Sequence, residues 1–129
     1  MMWVVHFLVL CALFLVGAES QTSEAVCLPY YSWTSNSQGK TPCEVAASLL
    51  AVCNDGEFEV LPLSLGQHYR GPALVANANP CICSTVVFSL MTACGLCQGR
   101  SVLRWSQWST NCPRVSLSRH VSSHRTVFF

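Results

Sequence analysis

The chain has 129 residues, a net charge of +1, 51% hydrophobic side chains and only 10% charged ones. That length holds one core and excludes two, and the near-neutral balance excludes polyelectrolyte binding, so no nucleic acid partner is expected. No Gly-rich phosphate loop occurs, and no apolar span of about 20 residues follows position 20.

Taken in chain order, the first element is a leader. Trp3 to Ala18 (WVVHFLVLCALFLVGA) is an apolar run broken only by His6 and Gly17. It is too short to span a bilayer, and small residues close it, as in the hydrophobic region of a secretory signal. Residues 1–18 are therefore read as a signal peptide, cleaved after Ala18 or Ser20. The mature chain is expected to be secreted, extracellular or at the cell surface, without a transmembrane span.

Cys11 leaves with the leader. Eight cysteines remain: Cys27, Cys43, Cys53, Cys81, Cys83, Cys94, Cys97 and Cys112. An even number in a small exported chain predicts up to four disulfides, which stabilise by restricting the unfolded state.

Residues 19–25 read as frayed, and residues 27–40 as an aromatic-rich loop with a turn at Asn36-Ser37-Gln38-Gly39. Thr41-Pro42-Cys43-Glu44 then carries a capping hydroxyl, Pro at the first helical position and Glu at the third. Val45, Ala46, Leu49, Leu50 and Cys53 follow at helical spacing, and Asn54-Asp55-Gly56 stops the pattern, which predicts a helix over 42–53. A short strand fits within 57–64, and 66–80 is Gly/Pro/Asn-punctuated loop. A second helix is predicted over 84–98, with Val87, Leu90, Cys94 and Cys97 as its buried stripe and Gly99 as its stop. The domain spans 27–112. The tail 113–129 has three Arg, two His, no acid and no cysteine, and reads as disordered. The fold class is thus small, mainly α and disulfide-rich.

The helix geometry restricts the pairing. Cys43 and Cys53 would lie roughly 15 Å apart along one helix, beyond the about 7 Å that a disulfide tolerates between α-carbons. Cys81 and Cys83 should bond different partners if extended. Cys94 and Cys97 face the buried stripe and should reach other segments rather than each other. At least one bridge is expected from Cys43 or Cys53 into the block 81–97.

Cys81-x-Cys83 with Cys94-x-x-Cys97 has the look of two halves of a zinc site, but oxidation during export favours disulfides, and neither metal nor cofactor is expected. A redox role for Cys94-Gly95-Leu96-Cys97 is disfavoured, because a helix C-terminus opposes a thiolate. Glu57 and Glu59, beside Asp55, could serve a hydrolase, though nothing in the pattern separates their acidities. His68 stands alone between leader and tail, without a nucleophile motif around it, so the chain is read as no enzyme. Tyr30, Tyr31, Trp33, Trp105 and Trp108 are the candidate ligand-binding residues, a possible stacking face for wall polysaccharide or contact surface for an extracellular protein. Trp105 to Ser109 matches the WSxWS pattern, but the paired β-sandwich of cytokine receptors does not fit a chain this short, and thrombospondin-type repeats lack its helices.

Read together, TPCEVAASLLAVCNDG, HYRGP, NPCICSTVVFSLMTACGLCQGR and WSQWSTNC resemble a family of uncharacterised cysteine-rich ectodomains of basidiomycete fungi. The resemblance covers about residues 30–112, with the CxCS…ACxxCQG block as its most specific part. It implies a secretory or cell-surface setting and no established activity. Many members continue into a transmembrane helix, whereas here PRVSLSRHVSSHRTVFF follows Cys112. Hydrophobins carry adjacent cysteines, absent here, and the haem-binding fungal CFEM domain has tighter spacing than the 27 residues between Cys53 and Cys81.

Overall fold

A computed structural model describes residues 21–113; the expected leader and the tail beyond Pro113 lie outside the described residues. The elements are β1 (Gln21–Ser23), a 3-10 helix (Pro29–Thr34), α1 (Pro42–Ala51), β2 (Phe58–Val60), a 3-10 turn (Val75–Asn77), α2 (Thr85–Cys97), α3 (Trp105–Trp108) and a last 3-10 turn (Ser109–Asn111). The protein is mainly helical, and four disulfides staple the helices.

Thr41 caps α1 as its sequence predicts. The Glu44 amide donates to Thr41 Oγ1 at 3.3 Å, and the Thr41 amide donates to Glu44 Oε2 at 2.7 Å. The helix stops at Ala51, two residues before the expected end, where the Gly56 amide folds back onto the Ala51 carbonyl. Asp55 (φ 54°) and Gly56 (φ 88°) both lie in the left-handed region there. The buried face also differs from the expected stripe. Cys43, Ala46, Ala47, Leu50 and Ala51 are buried, Val45 is half-buried, and Leu49 is 36% exposed. The disulfide from Cys43 to Cys94 fixes which side of α1 meets α2, and that rotates the stripe.

In α2, Ser84 Oγ accepts from the Val87 amide at 3.1 Å, and Gly99 (φ 69°) ends the helix in the left-handed conformation expected of that stop. Val87, Met91, Cys94, Gly95 and Cys97 are buried, so Met91 takes the place expected of Leu90, which is only half-buried.

One expectation fails outright. Residues 19–25 read as frayed, yet Gln21–Ser23 pairs in parallel with Phe58–Val60, in the register Gln21↔Phe58, Thr22↔Glu59 and Ser23↔Val60. Ser23 Oγ also donates to the Val60 carbonyl at 3.2 Å, and Ala25 enters the core. A parallel pair needs a long crossover, and the segment carrying α1 supplies it. QTS has little strand propensity of its own, so the ladder exists through its partner.

The disulfides are Cys27–Cys97, Cys43–Cys94, Cys53–Cys81 and Cys83–Cys112. Cys43 and Cys53 both reach the block 81–97, Cys81 and Cys83 take different partners, and Cys94 and Cys97 each bond another segment. Ala46, Ala47 and Leu50 of α1 share one buried cluster with Val87, Met91, Cys94 and Cys97 of α2. The other face of α2 is packed by rings. Phe88 meets Trp105 and Trp108 edge-on, with centroids 5.2 and 5.6 Å apart, and Trp108 is buried with its indole N–H donating to the Ile82 carbonyl at 2.8 Å.

Candidate functional site

The 3-10 helix, the turn after it and the outer faces of both long helices enclose an open, mostly apolar groove of about 800 Å³. Pro29 at the start of the 3-10 helix fixes the chain direction, and Trp33 projects from it with 76% of its surface exposed. The wall opposite is Val45 and Leu49 from α1, with Leu90 and Ala93 from α2. This explains the misplaced stripe: α1 is apolar over more than one face, and Val45 and Leu49 line the groove instead of the core.

The polar rim is held rigidly. Asn36 Oδ1 accepts from the amides of Gln38 (2.9 Å) and Lys40 (3.0 Å), and Gly39 (φ 75°) completes the turn that Asn-Ser-Gln-Gly predicts. Thr34 and Ser48 spend their hydroxyl protons on the carbonyls of Tyr31 and Glu44. Gln38 and Lys40 line the groove, and their side chains make no hydrogen bond among the described residues.

The five aromatic candidates do not share a face. Tyr30, Tyr31 and Trp33 lie together on the 3-10 helix, with Tyr30–Tyr31 centroids 4.4 Å apart and Tyr31–Trp33 6.4 Å apart. Tyr30 and Trp33 are exposed, while Tyr31 packs on the core. Trp108 is buried and Trp105 half-buried against Phe88, so these two hold the fold together and do not line the groove. The spacing of three between Trp105 and Trp108 is the signal that could have shown this, since it puts both rings on one side of a helical turn.

Glu57 and Glu59 flank Phe58 on a shallow polar hollow of about 380 Å³ shared with Thr22 and Asn54. The Asn54 amide group is engaged by the Glu57 carbonyl. His68 is half-buried and is not part of that hollow.

Sequence reading missed one polar centre, Gln98. It is 6% exposed and ties three segments: Nε2 donates to Tyr69 Oη (2.9 Å) and to the Cys94 carbonyl (3.0 Å), and Oε1 accepts from the Leu63 amide (2.9 Å). Tyr69 in turn donates to the Leu61 carbonyl at 2.7 Å. Burial raises the Tyr69 pKa above its ordinary value, and the Gln98 bond offsets part of that rise.

The sulfurs of Cys27, Cys43 and Cys97 lie within 4.8 Å of one another. They are joined in two adjacent disulfides, and the thiolate, not the disulfide, is the metal ligand. Among the described residues, no helix is long and apolar enough to cross a membrane. No family model, curated protein or solved structure matches the chain.

Proposed function

We propose that the chain is a secreted or cell-surface interaction module without enzymatic activity, and that it meets an extracellular protein partner through the groove beside Trp33. The observation that carries this reading is Trp33 itself: a large ring, 76% exposed, standing over an apolar wall on a cross-linked frame. A rigid exposed aromatic loses little conformational freedom on binding, which is why such residues dominate contact energies. Four disulfides fit an oxidising compartment, and the leader and the resemblance to basidiomycete ectodomains support the same setting.

A second reading keeps the same surface and changes the partner to a wall polysaccharide. What favours it is the rim, where the Gln38 amide and the Lys40 ammonium stand beside an indole able to stack on a sugar ring.

One experiment addresses both. The labelled full chain and its Trp33→Ala variant are applied to basidiomycete hyphae before and after enzymatic removal of wall chitin and glucan. Retention that depends on Trp33 and survives wall removal supports the protein partner; Trp33-dependent retention lost with the wall supports the polysaccharide. Equal retention of both chains, or of neither, overturns the assignment of this surface.

A further inference from the structure

The two adjacent disulfides have one end open to solvent. Cys27 is half-exposed and lines an open hollow of about 370 Å³ with Ser23, Ser32, Thr41 and Glu44. Its partner Cys97 is fully buried, as are Cys43 and Cys94. An external thiol therefore reaches this pair of bonds from the Cys27 side. Inside, Cys97 Sγ lies 3.9 Å from Cys43 Sγ, close to van der Waals contact. Cys43 is the second residue of α1, where the helix N-terminus favours an approaching thiolate. On the far side of that bond, Cys94 Sγ has Gln98 Nε2 at 3.4 Å and Tyr69 Oη at 3.5 Å as polar neighbours for a leaving sulfur. Glu44 is the charged side chain lining the hollow, and it favours a cation there.

We propose that Cys27 is a thiolation site for small cationic aminothiols, and that the sulfur it releases passes the exchange inward, leaving Cys94 as the free thiol. The aminothiol gives its proton to solvent and attacks Cys27 Sγ as a thiolate. The Cys27–Cys97 bond breaks, with its electron pair leaving on Cys97. The Cys97 thiolate attacks Cys43 Sγ, the Cys43–Cys94 bond breaks, and Cys94 takes the pair and then a proton. One S–S bond forms for each one broken, so no net oxidant or reductant is consumed.

The test uses the oxidised full chain, treated with cysteamine or with the anionic thiol 2-mercaptoethanesulfonate, acid-quenched, alkylated and mapped without reduction. The expected map has cysteamine on Cys27, the alkyl group on Cys94, a linked Cys43–Cys97 peptide, and Cys53–Cys81 and Cys83–Cys112 intact. Cysteamine should react on the order of five-fold faster than the anionic thiol, the effect of one nearby exposed charge, and Glu44→Gln should narrow that ratio while keeping the map. A first adduct at any other cysteine, or no adduct, overturns the site. Alkylation at Cys97 with Cys43–Cys94 intact overturns the inward transfer, and equal rates for the two thiols overturn the cationic class.

Discussion

The two faces of α2 are held by different physics. Toward α1, the buried cluster holds Ala46, Ala47 and Leu50 with Val87, Met91, Cys94 and Cys97, and the Cys43–Cys94 disulfide joins the two helices covalently. Toward α3, Phe88, Trp105 and Trp108 bury large rings edge-on and need one polar contact, from the Trp108 indole to Ile82. The second face also constrains the loop beside it. A Cβ on Gly71 would lie 2.0 Å from the Trp108 carbonyl oxygen, so only glycine fits there, and Asn111 Nδ2 donates to the carbonyls of Pro72 and Ala73 at 2.9 Å. A domain of this size can close one side of a helix with sulfur and the other with aromatic area, and the two sides fail differently when disturbed.

The largest loss is expected on the sulfur face. Replacing Cys43 and Cys94 together by serine removes a cross-link of 51-residue separation, worth about 4 kcal/mol through the unfolded state. It also leaves two hydroxyls in a dry core, which adds further cost. Chemical denaturation of the variant should show little folded protein at 37 °C; a near-wild-type midpoint would mean that packing alone closes that face. On the aromatic face, Trp108→Ala should cost about 4 kcal/mol, and Trp108→Phe about 1–2 kcal/mol, chiefly by stranding the Ile82 carbonyl. If the Phe variant equals the Ala variant, the indole bond and not the ring area holds the face. Thr41→Ala removes the α1 cap and should cost about 1 kcal/mol.

The pH dependence sharpens the comparison between the faces. Tyr69 holds its proton more tightly folded than unfolded, so its contribution is fully present below the ordinary tyrosine value near 10. It is lost as pH rises through the higher folded value. Tyr69→Phe should flatten the alkaline fall in thermal midpoint; an unchanged slope would place the alkaline weakness elsewhere. The smallest effect is Trp33→Ala, expected within about 0.5 kcal/mol of wild type, because the ring lies outside the core. A larger loss would mean that the exposed ring braces the fold.

What could be read in advance follows the reach of each interaction. The cap of α1 and the Asn36 turn are local, closed by residues three or four apart, so Thr41-Pro42-Cys43-Glu44 and Asn-Ser-Gln-Gly announce them directly. The disulfides obey the expected pairing for Cys43 and Cys94. Cys81 and Cys83 also take different partners, but they lie in a turn closed by the Cys83 amide on the Asn79 carbonyl and not in the extended segment that the alternation rule assumed. The strand at Gln21–Ser23 was invisible because its partner sits 37 residues away and its own residues carry no pattern. Leu49 looked like core because periodicity marks an apolar side chain without saying which neighbour covers it. Trp108 carries one local hint of burial, Trp105 three residues before it, but Trp33 has Tyr30 at the same spacing and stays exposed; Phe88 and the Ile82 carbonyl, supplied by distant segments, decide the matter.

The order of the half-cystines bears on how the chain is made. Cys27, Cys43 and Cys53 are synthesised first and have partners among themselves in no native pair; their mates are Cys97, Cys94 and Cys81, nested like brackets. At roughly 5–20 residues per second, Cys27 waits several seconds for the 70 residues that separate it from Cys97. A chain that joined cysteines in order of arrival would lock Cys27 to Cys43 and hold apart the two helices that its finished form brings together. Such a chain would depend on reshuffling, since any early bond among these three must be exchanged before the nested pairs can close, and Cys112 must still reach Cys83, which lies inside the brackets.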